Sequence, residues 1–201
     1  YPNFKALCLS GGVALNCSNN GKLLNSGLIE NIFVQPASGD DGCAIGAALL
    51  THDICSEGKL SKLPSSKSAA YLGPKYTDAE VQNALNKLSI PFNKCSSIPD
   101  KVSNYLLENK IVAWYKGSSE FGPRALGHRS IIAKPFPGSN KNYINNKIKF
   151  REEFRPFAPI ALAEEAEKYF ELDKPSPHML YAIKANSLGM EKCPAVVHVD
   201  G

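Results

Sequence analysis

Arginine is confined to one stretch of this sequence, residues 118–159. The chain has nineteen lysines but only four arginines, and all four lie in that stretch: Arg124, Arg129, Arg151 and Arg155. A guanidinium is a rigid planar fork that can bind phosphate or carboxylate through two hydrogen bonds. Glycine, proline and phenylalanine are interspersed with the arginines, a mixture typical of a pocket with apolar walls. The stretch therefore predicts an anion-binding pocket, and scattered surface cations are the alternative.

Lys149 and Arg151 form a Lys-x-Arg pair within this stretch. In an extended segment the two side chains point to the same face, because side chains alternate with a period of two. With Pro156 fixing the turn after Arg155, such a pair can hold a triphosphate or stabilise charge on departing pyrophosphate. The alternative is a solvated strand edge, where lysine is common.

A second candidate site is the turn Ser10-Gly11-Gly12, which follows a short apolar run and precedes a predicted helix. Glycines permit close approach of the backbone to a ligand, and a helix N-terminus offers free amide groups to an anion. The sequence contains no GxxxxGK[ST] and no GxGxxG, so neither a P-loop nor a Rossmann site is indicated. A tight turn without a ligand is the alternative.

Asp40 and Asp41 precede another predicted helix and can be interpreted as metal ligands or as helix caps. None of the four histidines has a second ligand at helical spacing, so none is assigned a metal or catalytic role: His52, His128, His178 and His198. No nucleophile paired with a base can be argued from the sequence.

The glycine turn and the acidic pair are expected to be positioned by a parallel α/β layer. Residues 5–10 and 31–36 are predicted strands, residues 13–27 a helix, and residues 37–58 a loop that leads into a second helix. In that second helix Gly42, Gly46, Ala47 and Ala48 are small enough to allow close approach to the sheet.

The arginine stretch is expected to lie in a separate α/β unit. A polar, serine-rich segment over residues 56–70 predicts a linker, after which the second unit begins near Tyr71. Its predicted elements are amphipathic helices within 71–88 and 98–110, a strand over 111–117, an exposed helix after Pro159, and strands over 179–185 and 195–201.

Composition narrows the class of protein. Hydrophobic residues make up 43% and charged residues 21% of the 201 residues, as in a globular protein able to bury a core. The net charge of +4 permits an anionic substrate without demanding nucleic acid. No run of eighteen apolar residues could span a membrane. The six cysteines are dispersed and are interpreted as reduced thiols of a cytoplasmic protein. Both ends read as cuts through a longer protein.

Two stretches resemble the carbamoyltransferases of nodulation and antibiotic O-carbamoylation. The first is LSGGVALNCSNNGKLLNSGLIENIFVQPASGDDGCAIGAAL, and the second is EFGPRALGHRSI followed by NNKIKFREEFRPFAP. The similarity covers almost the whole chain in the same order. It implies a partial actin-like (ASKHA) α/β layer over residues 1–70, of the kind found in tRNA threonylcarbamoylation proteins. A YrdC-like twisted α/β domain that forms carbamoyl adenylate is implied over residues 71–201.

The resemblance also implies a reaction and its participants. Carbamoyl phosphate and ATP give carbamoyl adenylate in the YrdC-like domain. The actin-like domain then passes the carbamoyl group to the hydroxyl of a small-molecule acceptor, with iron(II) and a bound nucleotide. The family's HxxxH metal motif does not occur in this chain, so the remaining iron ligands are expected outside it.

The implied site residues fall in both halves of the chain. Four would sit at the nucleotide of the actin-like domain: Ser10, Gly11, Gly12 and Asn16. Asp40 would match the family's metal-ligand aspartate. Lys149 and Arg151 would form the adenylate site, together with Arg155 and Arg124 and with Arg129 and Ser130 nearby. An RNA-binding module and a catalytically inert fragment are the alternatives, and the modest charge argues against the former.

Overall fold

A computed structural model describes residues 4–58, 70–172 and 174–201. The described residues form two compact units that alternate along the chain. The first contains residues up to Ala84 together with Tyr115–Ser130 and Ser176–Ala182, and the second contains Leu85–Trp114, Ile131–Pro175 and Ile183–Gly201. The first unit thus retains residues beyond 70 that the predicted division assigns to the second domain. The domain boundary itself stays a prediction, and most of the predicted linker lies outside the described residues.

The first unit is built on two parallel strands, β1 (Ala6–Leu9) and β2 (Asn31–Val34). Their register runs from Ala6 opposite Asn31 to Leu9 opposite Val34. A 3-10 turn (Gly12–Leu15) and helix α1 (Cys17–Asn25) connect them. The predicted order of strand, glycine turn, helix and strand is therefore confirmed.

Helix α1 is capped at its N-terminus by Asn16, the residue that follows the 3-10 turn. The Asn16 side chain accepts a hydrogen bond from the Asn19 amide at 3.1 Å, which satisfies one free N–H of the first turn. Within the helix, Gly21 packs so closely that a Cβ there would lie 2.5 Å from the carbonyl oxygen of Ala182. A glycine at this position is therefore a requirement of packing.

Helix α2 (Gly42–Cys55) forms where the sequence predicts it but does not pack as predicted. None of its residues is buried, and Leu50 and Ile54 are 62% and 69% exposed. A Cβ at Gly46 would meet no atom within 4 Å. The expected close approach of this helix to the sheet is therefore wrong for the described residues. Gly42 alone is crowded, because its Cβ would clash with the Ala37 carbonyl oxygen.

The core of the first unit contains residues from distant parts of the chain. Ala14, Val34 and Leu180 are buried together, and Tyr181 packs against them. The Ala182 amide donates to the Cys17 carbonyl oxygen at 3.0 Å. The prediction of a strand over residues 179–185 is wrong, because residues 179–184 form no regular secondary structure and Ala185 makes only an isolated antiparallel bridge with Phe170.

The remaining elements follow in chain order. Helix α3 (Asp78–Lys87) begins with a capping box, in which the Glu80 carboxylate accepts from the Thr77 amide at 2.7 Å and the Thr77 hydroxyl accepts from the Glu80 amide. Helix α4 spans Ile98–Leu107, and strands β3 (Val112–Tyr115) and β4 (Arg129–Ile132) form a second two-stranded sheet.

Beyond β4 the chain is less regular than predicted. It forms helix α5 (Ser139–Ile144), a π-helix (Asn145–Lys149), a 3-10 turn (Ala166–Lys168) and helix α6 (Ser187–Lys192). The predicted helix after Pro159 and the predicted strand over 195–201 are wrong, since only the 3-10 turn forms in the first and only turns in the second. Among the described residues, no helix combines the length and apolar character needed to cross a bilayer.

Candidate functional site

The strongest candidate site lies where helix α5 widens into the π-helix Asn145–Lys149. The π-helix ends at Phe150, which adopts the left-handed conformation with φ 49° and ψ 53°. Its side chain is 82% exposed, so packing does not explain this conformation. π-helical turns and left-handed bulky residues are both uncommon and both concentrate at functional sites.

Arg151 is held firmly at this point. Its Nε donates to the side-chain oxygen of Asn145 at 2.7 Å, and its guanidinium carbon lies 4.8 Å from the centroid of the Phe157 ring. One terminal nitrogen, Nη2, makes a long contact of 3.4 Å with the Pro156 carbonyl oxygen. Among the described residues, the other terminal nitrogen, Nη1, makes no hydrogen bond. The guanidinium is thus fixed at its inner edge and free to bind an anion at its outer edge.

The electrostatics of Arg151 match this description. Burial lowers the pKa of its guanidinium, and the nearby positive charge of Arg155 lowers it further, while Glu152 acts in the opposite direction. Arginine still remains protonated at any physiological pH. An open depression of about 340 Å³ adjoins it, lined by Asn146, Phe150, Arg151 and Glu152. The depression presents a partly desolvated cation to a ligand.

Lys149 and Arg155 flank Arg151 but differ in their surroundings. Lys149 is the last residue of the π-helix, and its side chain is exposed. The prediction that Lys149 and Arg151 point to the same face of an extended segment is therefore wrong, because Lys149 ends a π-helix and left-handed Phe150 separates the two residues. Arg155 forms an ion pair with Glu152 at 2.9 Å, with both side chains about half exposed. An exposed pair of this kind contributes little to stability.

Three asparagines support the loop that carries Arg151, and sequence reasoning missed all three. Asn142 and Asn146 both donate to the Glu153 carboxylate, at 3.1 and 2.5 Å. Asn145, which is completely buried, donates to the carbonyl oxygens of Glu153 and Arg155. Their spacing of i, i+3 and i+4 places them on one helix face, which is a signal visible in the sequence.

The predicted nucleotide turn of the first unit is exposed. Ser10, Gly11 and Gly12 all face solvent, and Gly11 has φ +89°, which favours glycine. The Gly11 amide is already used, since it donates to the Ser38 carbonyl oxygen at 2.7 Å. The side-chain oxygen of Asn16 caps α1. An anion at this turn would therefore have to bind N–H groups other than the Gly11 amide.

Arg124 reaches the same turn from the loop between β3 and β4. Its Nη2 donates to the Leu15 carbonyl oxygen at 3.1 Å, and its Nε is buried with no partner among the described residues. Gly122, two residues earlier, has φ +119°, which favours glycine, and a Cβ there would lie 3.1 Å from both the Ala37 Cβ and the Pro36 carbonyl oxygen. The structure thus brings Arg124 next to the predicted nucleotide turn.

Arg129 and Ser130 have mainly internal partners. The guanidinium of Arg129 stacks on Tyr115 and donates to four backbone carbonyl oxygens at 2.9–3.3 Å, those of Lys116, His128, Pro74 and Gly117. The Ser130 hydroxyl accepts from the Gly127 amide at 3.0 Å. Both residues belong to the first unit, so their predicted proximity to Lys149 and Arg151 stays a prediction.

Glu120 organises the loop that contains these residues. Its Oε1 accepts hydrogen bonds from the backbone amides of Leu126, His128 and Arg129 at 2.6, 2.9 and 3.2 Å. Burial alone would raise the pKa of this carboxyl group, but the three amide donors hold the pKa below its usual value. Tyr71 closes the loop, stacking on His128 at 4.1 Å and donating its hydroxyl to the Leu126 carbonyl oxygen.

The residues present do not by themselves fit an iron site. Across residues 4–58, 70–172 and 174–201, no three His, Cys, Asp or Glu side chains come close enough to hold a metal ion. Asp40 is exposed in the turn before α2. Asp41 occupies the N-cap position of that helix, but its carboxylate makes no capping hydrogen bond. The assignment of Asp40 as a metal ligand stays a prediction.

Comparison with known proteins finds family models that match two separate parts of the chain. Residues 2–49 match the family model described as "Carbamoyltransferase N-terminus", and residues 103–201 match "Carbamoyltransferase C-terminus". The chain belongs to the carbamoyltransferase family. The family resemblance expected from the two sequence stretches is confirmed, and the C-terminal match contains all four arginines and Lys149.

Individual relatives of this family align over nearly the full chain. The nodulation protein NolO of Bradyrhizobium diazoefficiens is 41% identical over 97% of the chain. Nodulation protein U of Rhizobium fredii is 38% identical over 100%, and an uncharacterized protein of Synechocystis is 40% identical over 96%. The chain covers 36%, 32% and 36% of these relatives, so it spans about a third of their length.

Proposed function

We propose that this chain is part of an enzyme that transfers a carbamoyl group, and that Arg151 binds the phosphates of ATP. Membership of the carbamoyltransferase family supports the reaction class. The observation that carries the proposed site is the guanidinium of Arg151, which Asn145 anchors at Nε in a residue that lines an open depression. Guanidinium forks suit phosphate because two donors can meet two oxygens.

The proposed chemistry requires stabilisation of negative charge. In the proposed reaction, water first cleaves carbamoyl phosphate to carbamate and inorganic phosphate. A carbamate oxygen then attacks the α-phosphorus of ATP, the bond between that phosphorus and the oxygen bridging to the β-phosphate breaks, and pyrophosphate leaves. Negative charge then gathers on the departing oxygens, where a fixed cation is worth more than a mobile one because it needs no reorganisation. Arg151 supplies such a cation, and exposed Lys149 is assigned a second positive charge at the same phosphates.

The second half of the proposed reaction moves the carbamoyl carbon to an acceptor hydroxyl, with AMP as the leaving group. A small hydroxylated molecule is the proposed acceptor class. Arg124, beside the 3-10 turn Gly12–Leu15, is the residue of the first unit best placed to hold an anionic group there. No step is assigned to iron, since the described residues do not form its site.

A calorimetric titration of ATP into the chain tests the phosphate site. The unmodified chain is expected to bind, and Arg151→Lys is expected to weaken binding by about 1–3 kcal/mol, because a point charge cannot replace the fork. Lys168→Ala is the matched control. It removes a cation from the same unit at a site whose partner is Glu165, and it should leave ATP affinity unchanged.

Exchange of labelled pyrophosphate into ATP tests the reaction itself. Exchange that depends on carbamoyl phosphate and is reduced in Arg151→Lys would support adenylate formation at this site. Absence of ATP binding by the folded chain would contradict the proposal. Tight RNA binding with steep salt dependence, without ATP binding, would favour a nucleic-acid module instead.

A further inference from the structure

Asn145 uses every polar atom of its side chain within one loop. Its Nδ2 donates to the carbonyl oxygens of Glu153 and Arg155 at 3.2 and 3.0 Å, and its Oδ1 accepts from Arg151 Nε at 2.7 Å. Its backbone oxygen also accepts from the Arg151 amide at 3.0 Å. The residue is 0% exposed, although asparagine is mostly found on protein surfaces.

These bonds determine the direction of the Arg151 guanidinium. Arginine has four rotatable side-chain bonds, and a free side chain would sample many orientations at a cost to binding. A hydrogen bond at Nε fixes the plane of the guanidinium, and the Phe157 ring at 4.8 Å limits its position on one side. The Nη1 edge is therefore presented in one direction before any ligand arrives.

We propose that Asn145 is the positioning residue for Arg151, which it holds in the orientation that captures the phosphates of a nucleoside triphosphate. This inference rests on the proposed function of the Arg151 site. It adds that the affinity of the site depends on a buried amide that does not itself touch the ligand. The π-helix has a part in this, because Asn145 is its first residue and lies beneath the loop that carries Arg151.

A simpler role for Asn145 would be to stabilise the loop without aiming the arginine. The two roles differ in how Asn145 and Arg151 are coupled. If Asn145 acts through Arg151, its removal matters only while Arg151 is present. If it acts only on the loop, its removal has the same effect on ATP affinity whether or not Arg151 is present.

A double-mutant cycle on ATP affinity separates these roles. Asn145→Ala is expected to weaken ATP binding by about tenfold in the unmodified chain, but by less than about twofold in the Arg151→Ala background. Asn142→Ala is the matched control, because Asn142 contacts the Glu153 carboxylate without touching Arg151. Its ATP affinity should stay within about twofold of the unmodified chain. Equal losses for Asn145→Ala in both backgrounds would overturn the proposal.

An NMR measurement tests the geometry without a ligand. The chain has four arginines, so four Nε–H signals are expected, and the one lost in Arg151→Lys identifies Arg151. In the unmodified chain this proton should exchange slowly with solvent, because it is bonded to a buried oxygen. Asn145→Ala should remove the protection, and Asn145→Asp, which retains an acceptor oxygen, should restore it. Rapid exchange in the unmodified chain would overturn the proposal.

Failure of the proposed function gives a different pattern. If the Nε–H signal is protected but the chain binds no ATP, the hydrogen bond between Arg151 and Asn145 is confirmed. The assignment of ATP to this site and the positioning role of Asn145 are then both wrong. If ATP binds and Arg151→Lys weakens it, but Asn145→Ala does not, the proposed function stands and only the role of Asn145 is wrong.

Discussion

The guanidinium carbon of Arg129 lies 3.5 Å from the centroid of the Tyr115 ring. The same guanidinium donates to four backbone carbonyl oxygens, so its hydrogen-bonding capacity is directed into the loop between β3 and β4. Resemblance to the family placed Arg129 near the nucleotide. Its contacts indicate that Arg129 stabilises the loop between β3 and β4.

Arg129→Lys is therefore expected to lower the free energy of unfolding by about 1–3 kcal/mol, because an ammonium group cannot reach several carbonyls in one plane or stack as a planar group. Denaturant unfolding measures the loss. ATP affinity of the folded variant should be unchanged. A variant of normal stability that binds ATP poorly would restore Arg129 to the nucleotide site.

Glu120 makes the stability of its loop depend on pH. Its pKa is lowered in the folded chain, so its stabilising effect is present at neutral pH. The effect is lost as the pH falls from the usual glutamate value, about 4.3, through the lower folded pKa. Glu120→Gln should cost about 1–2 kcal/mol at pH 7, since a neutral acceptor replaces a charged one.

The difference in stability between the unmodified chain and Glu120→Gln should shrink towards zero as the pH falls below about 4. Thermal unfolding at pH 7 and at acidic pH measures it, and Glu164→Gln, an exposed residue, is the control. A difference that persists unchanged in acid would show that the carboxylate charge is not what the three amides bind.

Gly21 and Gly46 form a matched pair for testing backbone packing. A Cβ at Gly21 would lie 2.5 Å from the Ala182 carbonyl oxygen, whereas a Cβ at Gly46 would meet nothing within 4 Å. Gly21→Ala should destabilise the chain by about 1–3 kcal/mol through overpacking. Gly46→Ala should be neutral or stabilising by up to about 1 kcal/mol, because alanine favours helices. Equal effects in unfolding experiments would contradict the packing of residues 176–182 on α1.

Lys149 is expected to contribute to phosphate binding through charge rather than through fixed geometry. Its side chain is exposed at the end of the π-helix. Lys149→Met should weaken ATP binding about three- to tenfold at low salt, and the difference should narrow as added salt screens the charge. Titrations at two ionic strengths measure this, and a loss independent of salt would indicate a direct, buried contact instead.

The elements predicted correctly are those whose signals are local. β1, α1, β2 and α2 follow from runs of β-prone residues, glycine stops and helical patterns, and Thr77 with Glu80 is a capping box readable from spacing alone. The family could be predicted because two long sequence stretches resemble it in the same order along the chain. Neither kind of signal depends on what a residue touches far along the chain.

The errors concern contacts between distant residues. Residues 179–185 have the composition of a strand, yet they pack on α1 through Leu180 and Ala182. Asn145 looks like an ordinary polar residue until its burial and its three side-chain bonds are known. Arg129 and Arg151 cannot be distinguished by residue type. The guanidinium of Arg129 donates to four carbonyl oxygens, whereas the Nη1 of Arg151 makes no hydrogen bond among the described residues.

The packing of residues 176–182 into the first unit also dictates the order of events in folding. The hydrogen bond from Asn20 Nδ2 to the Leu180 carbonyl oxygen joins residues 160 positions apart. During synthesis, β1, α1 and β2 therefore emerge long before residues 176–182, which cover Asn20 and the face around Ala14. Closing so long a loop costs entropy, and contacts of this range slow folding. A nascent chain would spend that interval with the same apolar surface exposed that a truncation before residue 176 would leave exposed permanently.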